Sequence, residues 1–175
     1  HRTSTFFGNG FVGHVQFGDP VCPALSGKLV EAAKTVGATL HDGGTYICME
    51  GPAFSSRAES LLYRSWGASV IGMTNAQEAK LAREAEIAFA SIALATDYDC
   101  WHVSESEVSV DDIIKVMQAN VETARQILVE TLRNLSLEFP NSQADALKFA
   151  LITDKSKIPE TTRRDLGLLL GRYID

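Results

Sequence analysis

The sequence predicts an α/β domain built on a largely parallel sheet. Three observations carry that prediction. Short uncharged apolar runs recur through the first half of the chain, helical periodicity separates them, and Gly, Pro and capping residues punctuate the joins.

After a Gly-rich opening, residues 23–36 place Leu25, Leu29, Ala32 and Ala33 at helical spacing, with Pro23 suited to a first turn. Gly43 and Gly44 break the chain, and residues 45–49 read as a strand that Gly51-Pro52 ends. Ser56-Arg57-Ala58-Glu59 is a capping box opening a helix to about Trp66, which Gly67 closes. Residues 68–73 read as a second buried strand, and Asn75-Ala76-Gln77-Glu78 repeats the capping pattern ahead of a helix to about Glu86. Residues 87–95 carry no charge and read as a third strand, buried on both faces. A long helix over 110–134 follows, with Ile113, Val116, Val121, Ala124, Ile127 and Leu128 as its apolar positions. Phe139-Pro140-Asn141 interrupts it, and further helical stretches are expected at 143–152 and 161–173. With no linker, repeat or low-complexity segment, one domain is expected over 1–175, its last part (135–175) a helical tail.

Composition narrows the class. The chain has 175 residues, 45% hydrophobic and 22% charged, which is ordinary for a globular domain with a sizeable core. A net charge of −6 argues against nucleic acid or an anionic membrane surface as partner. No apolar run is long enough to cross a bilayer and the amino end lacks a signal-peptide pattern, so a cytoplasmic location is expected. Cys22, Cys48 and Cys100 are odd in number with no C-x-x-C spacing, which favours free thiols in a reducing compartment. His1, His14, His41 and His102 show no metal-ligand spacing, and no metal site is expected. The chain opens without an initiator Met on His-Arg-Thr-Ser-Thr-Phe-Phe, which reads as the middle of a loop; a preceding segment is expected.

Ligands of open α/β sheets bind at the carboxyl ends of the strands. Three junctions of that kind carry the chemistry: Glu50-Gly51-Pro52-Ala53-Phe54-Ser55-Ser56, Gly72-Met73-Thr74-Asn75, and Thr96-Asp97-Tyr98-Asp99. On a strand, Asp97 and Asp99 would point one way and Tyr98 the other. Two acids so placed could grip a polar heterocycle or a metal, or share one proton. Thr74 stands where a helix begins, and free N–H groups there suit an anion.

Together and in this order, Met-Glu-Gly-Pro-Ala-Phe-Ser-Ser-Arg-Ala-Glu-Ser, Gly-Met-Thr-Asn and Ala-Thr-Asp-Tyr-Asp-Cys-Trp resemble the purine nucleoside phosphorylase superfamily, within it the trimeric branch acting on 5′-methylthioadenosine. The resemblance runs from residue 1 to about 134 and more loosely through the tail. It implies a mostly parallel, twisted mixed sheet flanked by helices, here an incomplete domain. It implies reversible phosphorolysis, with adenine and 5-methylthioribose 1-phosphate as products, no cofactor or metal, and inorganic phosphate as co-substrate. A cytoplasmic homotrimer with sites at subunit interfaces is implied too.

By the same resemblance, Phe54 contacts the adenine face with Ser55 beside it, and Met73 packs on the ribose and bonds its hydroxyls through its backbone. Thr74 bonds phosphate, Asp97 faces N7 of the base, Asp99 faces its 6-amino group, and Thr96 belongs to the same substrate set. His14 reaches a neighbouring subunit's site, while Val110 and Ile113 line the methylthio pocket. The family's amino-terminal stretch, which supplies most phosphate contacts, has no counterpart here; it is expected as a separate chain or a missing part.

The chemistry needs these residue types. Breaking an N-glycosidic bond leaves negative charge on the purine, and a proton placed on N7 neutralises it; such general acid help is worth roughly 10²–10⁴-fold. Asp97 is the expected donor and ionised Asp99 the acceptor of the 6-amino protons. Related 6-oxopurine enzymes carry Asn in place of Asp97 and Glu in place of Ser55, so adenine-type bases fit better. A 6-oxopurine phosphorylase and a non-catalytic adenine-nucleoside-binding subunit remain the alternatives.

Overall fold

A computed structural model of the chain describes residues 2–102, 110–136 and 138–174, with positions 110, 112 and 113 described by backbone only. Two strands, β1 (Tyr46–Cys48) and β2 (Val70–Gly72), pair in parallel in the register Tyr46↔Val70, Ile47↔Ile71, Cys48↔Gly72. Helix α2 (Arg57–Ser65) carries the chain from one strand to the next, the crossover a parallel pair requires. Gly72 is needed in this ladder: a Cβ there would stand 2.0 Å from the Tyr46 hydroxyl. The α/β class follows, with a two-stranded sheet among the described residues.

Helix α2 begins as its sequence dictates. Ser56 is extended at the N-cap, its hydroxyl accepts the Glu59 N–H at 3.3 Å, and the Glu59 carboxylate accepts the Ser56 N–H at 2.7 Å. The Ser56 hydroxyl and then its N–H hold the Glu59 carboxyl below the usual carboxylate range. A lowered folded-state pKa stabilises above the ordinary value of 4.5, and that contribution is lost as pH falls through the folded value. Ser56→Ala is expected to cost about 1 kcal/mol at neutral pH. Denaturant titrations above and below pH 4.5 should show this cost shrinking in acid.

The remaining helices are α1 (Pro23–Thr35), α3 (Ala76–Glu84), α4 (Val110–Arg133), α5 (Glu160–Asp165) and α6 (Gly167–Ile174), with a 3₁₀ turn at Lys155–Lys157. The backbone packs as two compact units: one takes 1–26, 75–90 and 138–175, the other 27–74 and 91–137. The first is cored by Phe11, Leu147, Ala150, Ile158, Leu170 and Ile174, with Phe7 edge-on to Phe11 at 5.0 Å. The second buries Ala32, Ala33 and Ile127 among Leu29, Val36 and Ile92.

Four expectations are corrected. Residues 87–95 are not a strand: they pair with none among the described residues, and Ile87, Leu94 and Ala95 are exposed. Their carbonyls serve other donors, Phe89 taking the Cys22 N–H and Ala95 the Asn120 side-chain amide. Asn75 does not cap α3 with its side chain, because φ of 139° turns it out of cap geometry. The expected helix over 143–152 is a run of turns closed by i→i+3 bonds such as Ala146 N–H to Gln143 and Ala150 N–H to Leu147. The last expected helix is two, broken at Leu166.

Candidate active site

Both strands deliver their carboxyl ends to loops that carry predicted site residues. Strand β1 runs into Met49-Glu50-Gly51-Pro52, then Phe54 and Ser55, and the α2 cap follows. Phe54 is 86% exposed, so its ring belongs to no core and offers a free face. Strand β2 runs into half-buried Met73 and exposed Thr74. The two loops meet where Gly51, at φ +70°, admits the Met73 sulfur; a Cβ at Gly51 would lie 2.6 Å from it. That close approach is what requires glycine here.

The acidic segment joins the same loops. Ser55 turns its hydroxyl to the Met49 sulfur at 3.6 Å, and its carbonyl accepts the Cys100 thiol at 3.4 Å. Asp97 lies in a bend, exposed, its carboxylate accepting the Thr96 hydroxyl at 3.0 Å. Asp99 is half-buried. Its carboxylate accepts the Cys100 N–H at 2.9 Å, and its carbonyl accepts the His102 N–H at 3.0 Å, closing a turn. The acids therefore sit in a bend and a turn, and strand alternation does not orient them. Each keeps a local donor of its own.

Four side chains to which sequence reasoning gave no site role pack together. Tyr98 stacks on His102 with centroids 4.6 Å apart, Trp101 meets both rings edge-on, and the Arg64 guanidinium lies 3.5 Å over Trp101. Only the adjacency of Trp101 to the acids hinted at this; nothing in the spacing pairs it with Arg64.

The other expected residues are less gathered. His14 is exposed in the first unit, its N–H bonded to the Ala150 carbonyl at 2.7 Å beside the Gly13↔Leu151 bridge. Val110 and Ile113 fall in the first turn of α4, and their side chains lie outside the described residues. Among the described residues no three His, Cys, Asp or Glu side chains cluster as metal ligands. Along these segments the described residues offer an exposed aromatic face at Phe54, a carboxylate at exposed Asp97 and another at half-buried Asp99.

A family profile described as the phosphorylase superfamily matches residues 1–133. The chain is 59% identical over 173 residues to the S-methyl-5′-thioadenosine phosphorylase of Geobacter sulfurreducens, covering 99% of this chain and 60% of that protein. It is 53% identical over 178 residues to the protein of the same name from Thermosynechococcus vestitus, covering 99% of this chain and 62% of the other. The chain thus spans about 60% of the length of the curated relatives it matches. Among solved structures, a methylthioadenosine phosphorylase from an antarctic soil metagenomic library superposes with TM-score 0.90 at 43% identity, over 97% of this chain and 60% of that one. A mutant adenosine/methylthioadenosine phosphorylase from Schistosoma mansoni, in complex with methylthioadenosine, superposes with TM-score 0.72 at 26% identity, over 98% of this chain and 60% of that one.

Proposed function

The chain belongs to the phosphorylase superfamily, and on that premise we propose that it serves the phosphorolysis of 5′-methylthioadenosine. A phosphate oxygen bonds to the anomeric carbon as the bond from that carbon to N9 breaks. Adenine and 5-methylthioribose 1-phosphate leave. The contact that carries the proposal is Cys100 Sγ to the Ser55 carbonyl, because it seats the two acids beside the Phe54–Ser55 loop. The names of the relatives at 59% and 53% identity support the same substrate.

Asp97, protonated, is the proton donor to N7 in this proposal, and its exposed carboxyl, which accepts the neighbouring Thr96 hydroxyl, is accessible for that transfer. Asp99 accepts from the 6-amino group, while its first oxygen stays engaged by Cys100 N–H, which fixes the carboxylate plane. An oxo group at position 6 would set acceptor against acceptor, a mispairing that rejects an analogue by roughly 10⁴-fold or more. Phe54 covers the base, Met73 the ribose, Thr74 the phosphate, with Ser55 and Thr96 at the base edge. His14 serves a neighbouring copy's site in a cytoplasmic homotrimer, and Val110 and Ile113 face the methylthio group. No cofactor or metal enters the scheme.

The native protein should release adenine from methylthioadenosine only when phosphate is present, and act on inosine poorly or not at all. Release without phosphate, or binding with no turnover, would overturn the proposal; a preference for inosine would hand the site to 6-oxopurines. Adenosine assayed alongside measures the preference for the methylthio group.

A further inference from the structure

We infer that Arg64, Tyr98, Trp101 and His102 are positioning residues for Asp97 and Asp99, setting base recognition without touching the base. The inference rests on the phosphorylase reading above. It starts from a gap in support: residues 95–102 have no strand partner among the described residues, so sheet pairing does not aim the acids.

Helix α2 supplies the support instead, at two points. Ser55, just before the α2 cap, holds the Cys100 thiol through its carbonyl at 3.4 Å. Arg64, in the last turn of α2, lies 3.5 Å over the Trp101 ring. A helix of nine residues separates these points by about 13 Å at 1.5 Å per residue. The two anchors, from opposite ends of α2, grip the consecutive residues Cys100 and Trp101, and so fix the rotation of the segment as well as its place. One anchor would leave it free to swing.

The rings then rigidify the turn that carries both anchored residues. Tyr98, placed between the two acids in sequence, stacks on His102 at 4.6 Å and 17°. Trp101 closes on both, at 5.6 Å from Tyr98 and 5.2 Å from His102. The backbone bond from His102 N–H to the Asp99 carbonyl, 3.0 Å, sits inside this packing. Such a cluster would be expected in a core if its task were stability. Here Tyr98 is 69% exposed, and Arg64 and His102 are exposed too, so it buries little apolar surface. Orientation is what it supplies.

The test uses the native protein with Trp101→Ala, Trp101→Phe and Arg64→Met, each checked by thermal melting. Trp101→Ala should raise the KM for methylthioadenosine about tenfold or more, with the KM for phosphate unchanged. Trp101→Phe, which keeps an aromatic edge, should recover most of that loss. Arg64→Met, on an exposed helix face, should raise the nucleoside KM roughly 2–5-fold, the range of an exposed cation–π contact. If Trp101→Ala fails to fold, Arg64→Met decides. In a Trp66→Phe background, adenine should change the emission of Trp101, the remaining tryptophan among these 175 residues. Nucleoside KM values that stay at the unaltered level, or that rise only alongside the phosphate KM as the melting temperature falls, overturn the inference. Absence of phosphate-dependent turnover in the unaltered protein overturns the phosphorylase reading first, and the inference with it.

Discussion

Replacing Asp97 with Asn is expected to reduce phosphate-dependent adenine release by roughly 10²–10⁴-fold, the usual contribution of a positioned general acid. The substitution isolates the proton. Asn keeps the shape of Asp, its carbonyl can still accept the Thr96 hydroxyl that Asp97 accepts at 3.0 Å, and the site is exposed. Exposed substitutions of this kind change stability by about 0.5 kcal/mol or less, so lost activity would not reflect unfolding. The KM for phosphate should hold, because Thr74 and not Asp97 is assigned to that substrate. Steady-state adenine release with both substrates saturating is the decisive measurement, and a rate equal to that of the unaltered protein refutes the general-acid role.

The geometry behind that prediction differs from the one periodicity implies. Periodicity places Asp97 and Asp99 on one strand face, but the structure has a bend at Asp97 and a turn closed by His102 N–H on the Asp99 carbonyl. The identity of the acids was legible because their position after an uncharged run is a property of the sequence. Their orientation was not, because it depends on Arg64 and Ser55, both more than thirty residues away in the chain. Phe54 shows the opposite case. An aromatic after Gly-Pro has no helix or strand face to bury, and it stands 86% exposed.

The fold divides along the same line. Signals that act within a turn were legible: Ser56 and Glu59 form the capping box their spacing demands, Gly67 closes α2 at φ +77°, and α1 starts at Pro23. Signals that need a distant partner were not. Residues 87–95 carry the apolarity of a buried strand, yet a strand is made by lateral hydrogen bonds that its own composition cannot specify. Residues 142–150 have helical periodicity but fold as successive turns. There the Leu147 N–H goes to the Glu86 carboxylate, a competing acceptor no periodicity reveals.

Glu86→Ala is expected to destabilise the first unit by about 3 kcal/mol, since each buried donor left unpaired costs roughly 1–3 kcal/mol. The carboxylate accepts the Leu147 N–H at 2.9 Å and the Tyr173 hydroxyl at 2.5 Å, and the Arg172 guanidinium stands 3.8 Å from its second oxygen. Leu147 is completely buried and the Glu86 side chain is only 12% exposed, so the Leu147 N–H depends on this carboxylate as its acceptor. Glu86 also holds φ at +57°, a conformation that side-chain-bearing residues adopt at a cost of about 1–2 kcal/mol, so its bonds must outweigh that strain. Glu86→Gln keeps an acceptor oxygen and should lose less than half as much. The Asn141 amide, bonded to the Glu86 main-chain carbonyl at 2.8 Å, is untouched by either change, which confines the effect to the side chain. Burial, reinforced by the bond to Glu86, pushes the Tyr173 hydroxyl above its ordinary value of 10.0. A raised folded-state pKa means this stabilisation is complete below pH 10.0 and lost as pH rises through the folded value. Glu86→Ala should accordingly lower the Tyr173 titration midpoint, read by phenolate absorbance, and reduce the denaturant midpoint at neutral pH. An unchanged denaturant midpoint would refute Glu86 as the anchor of the carboxyl-terminal segment.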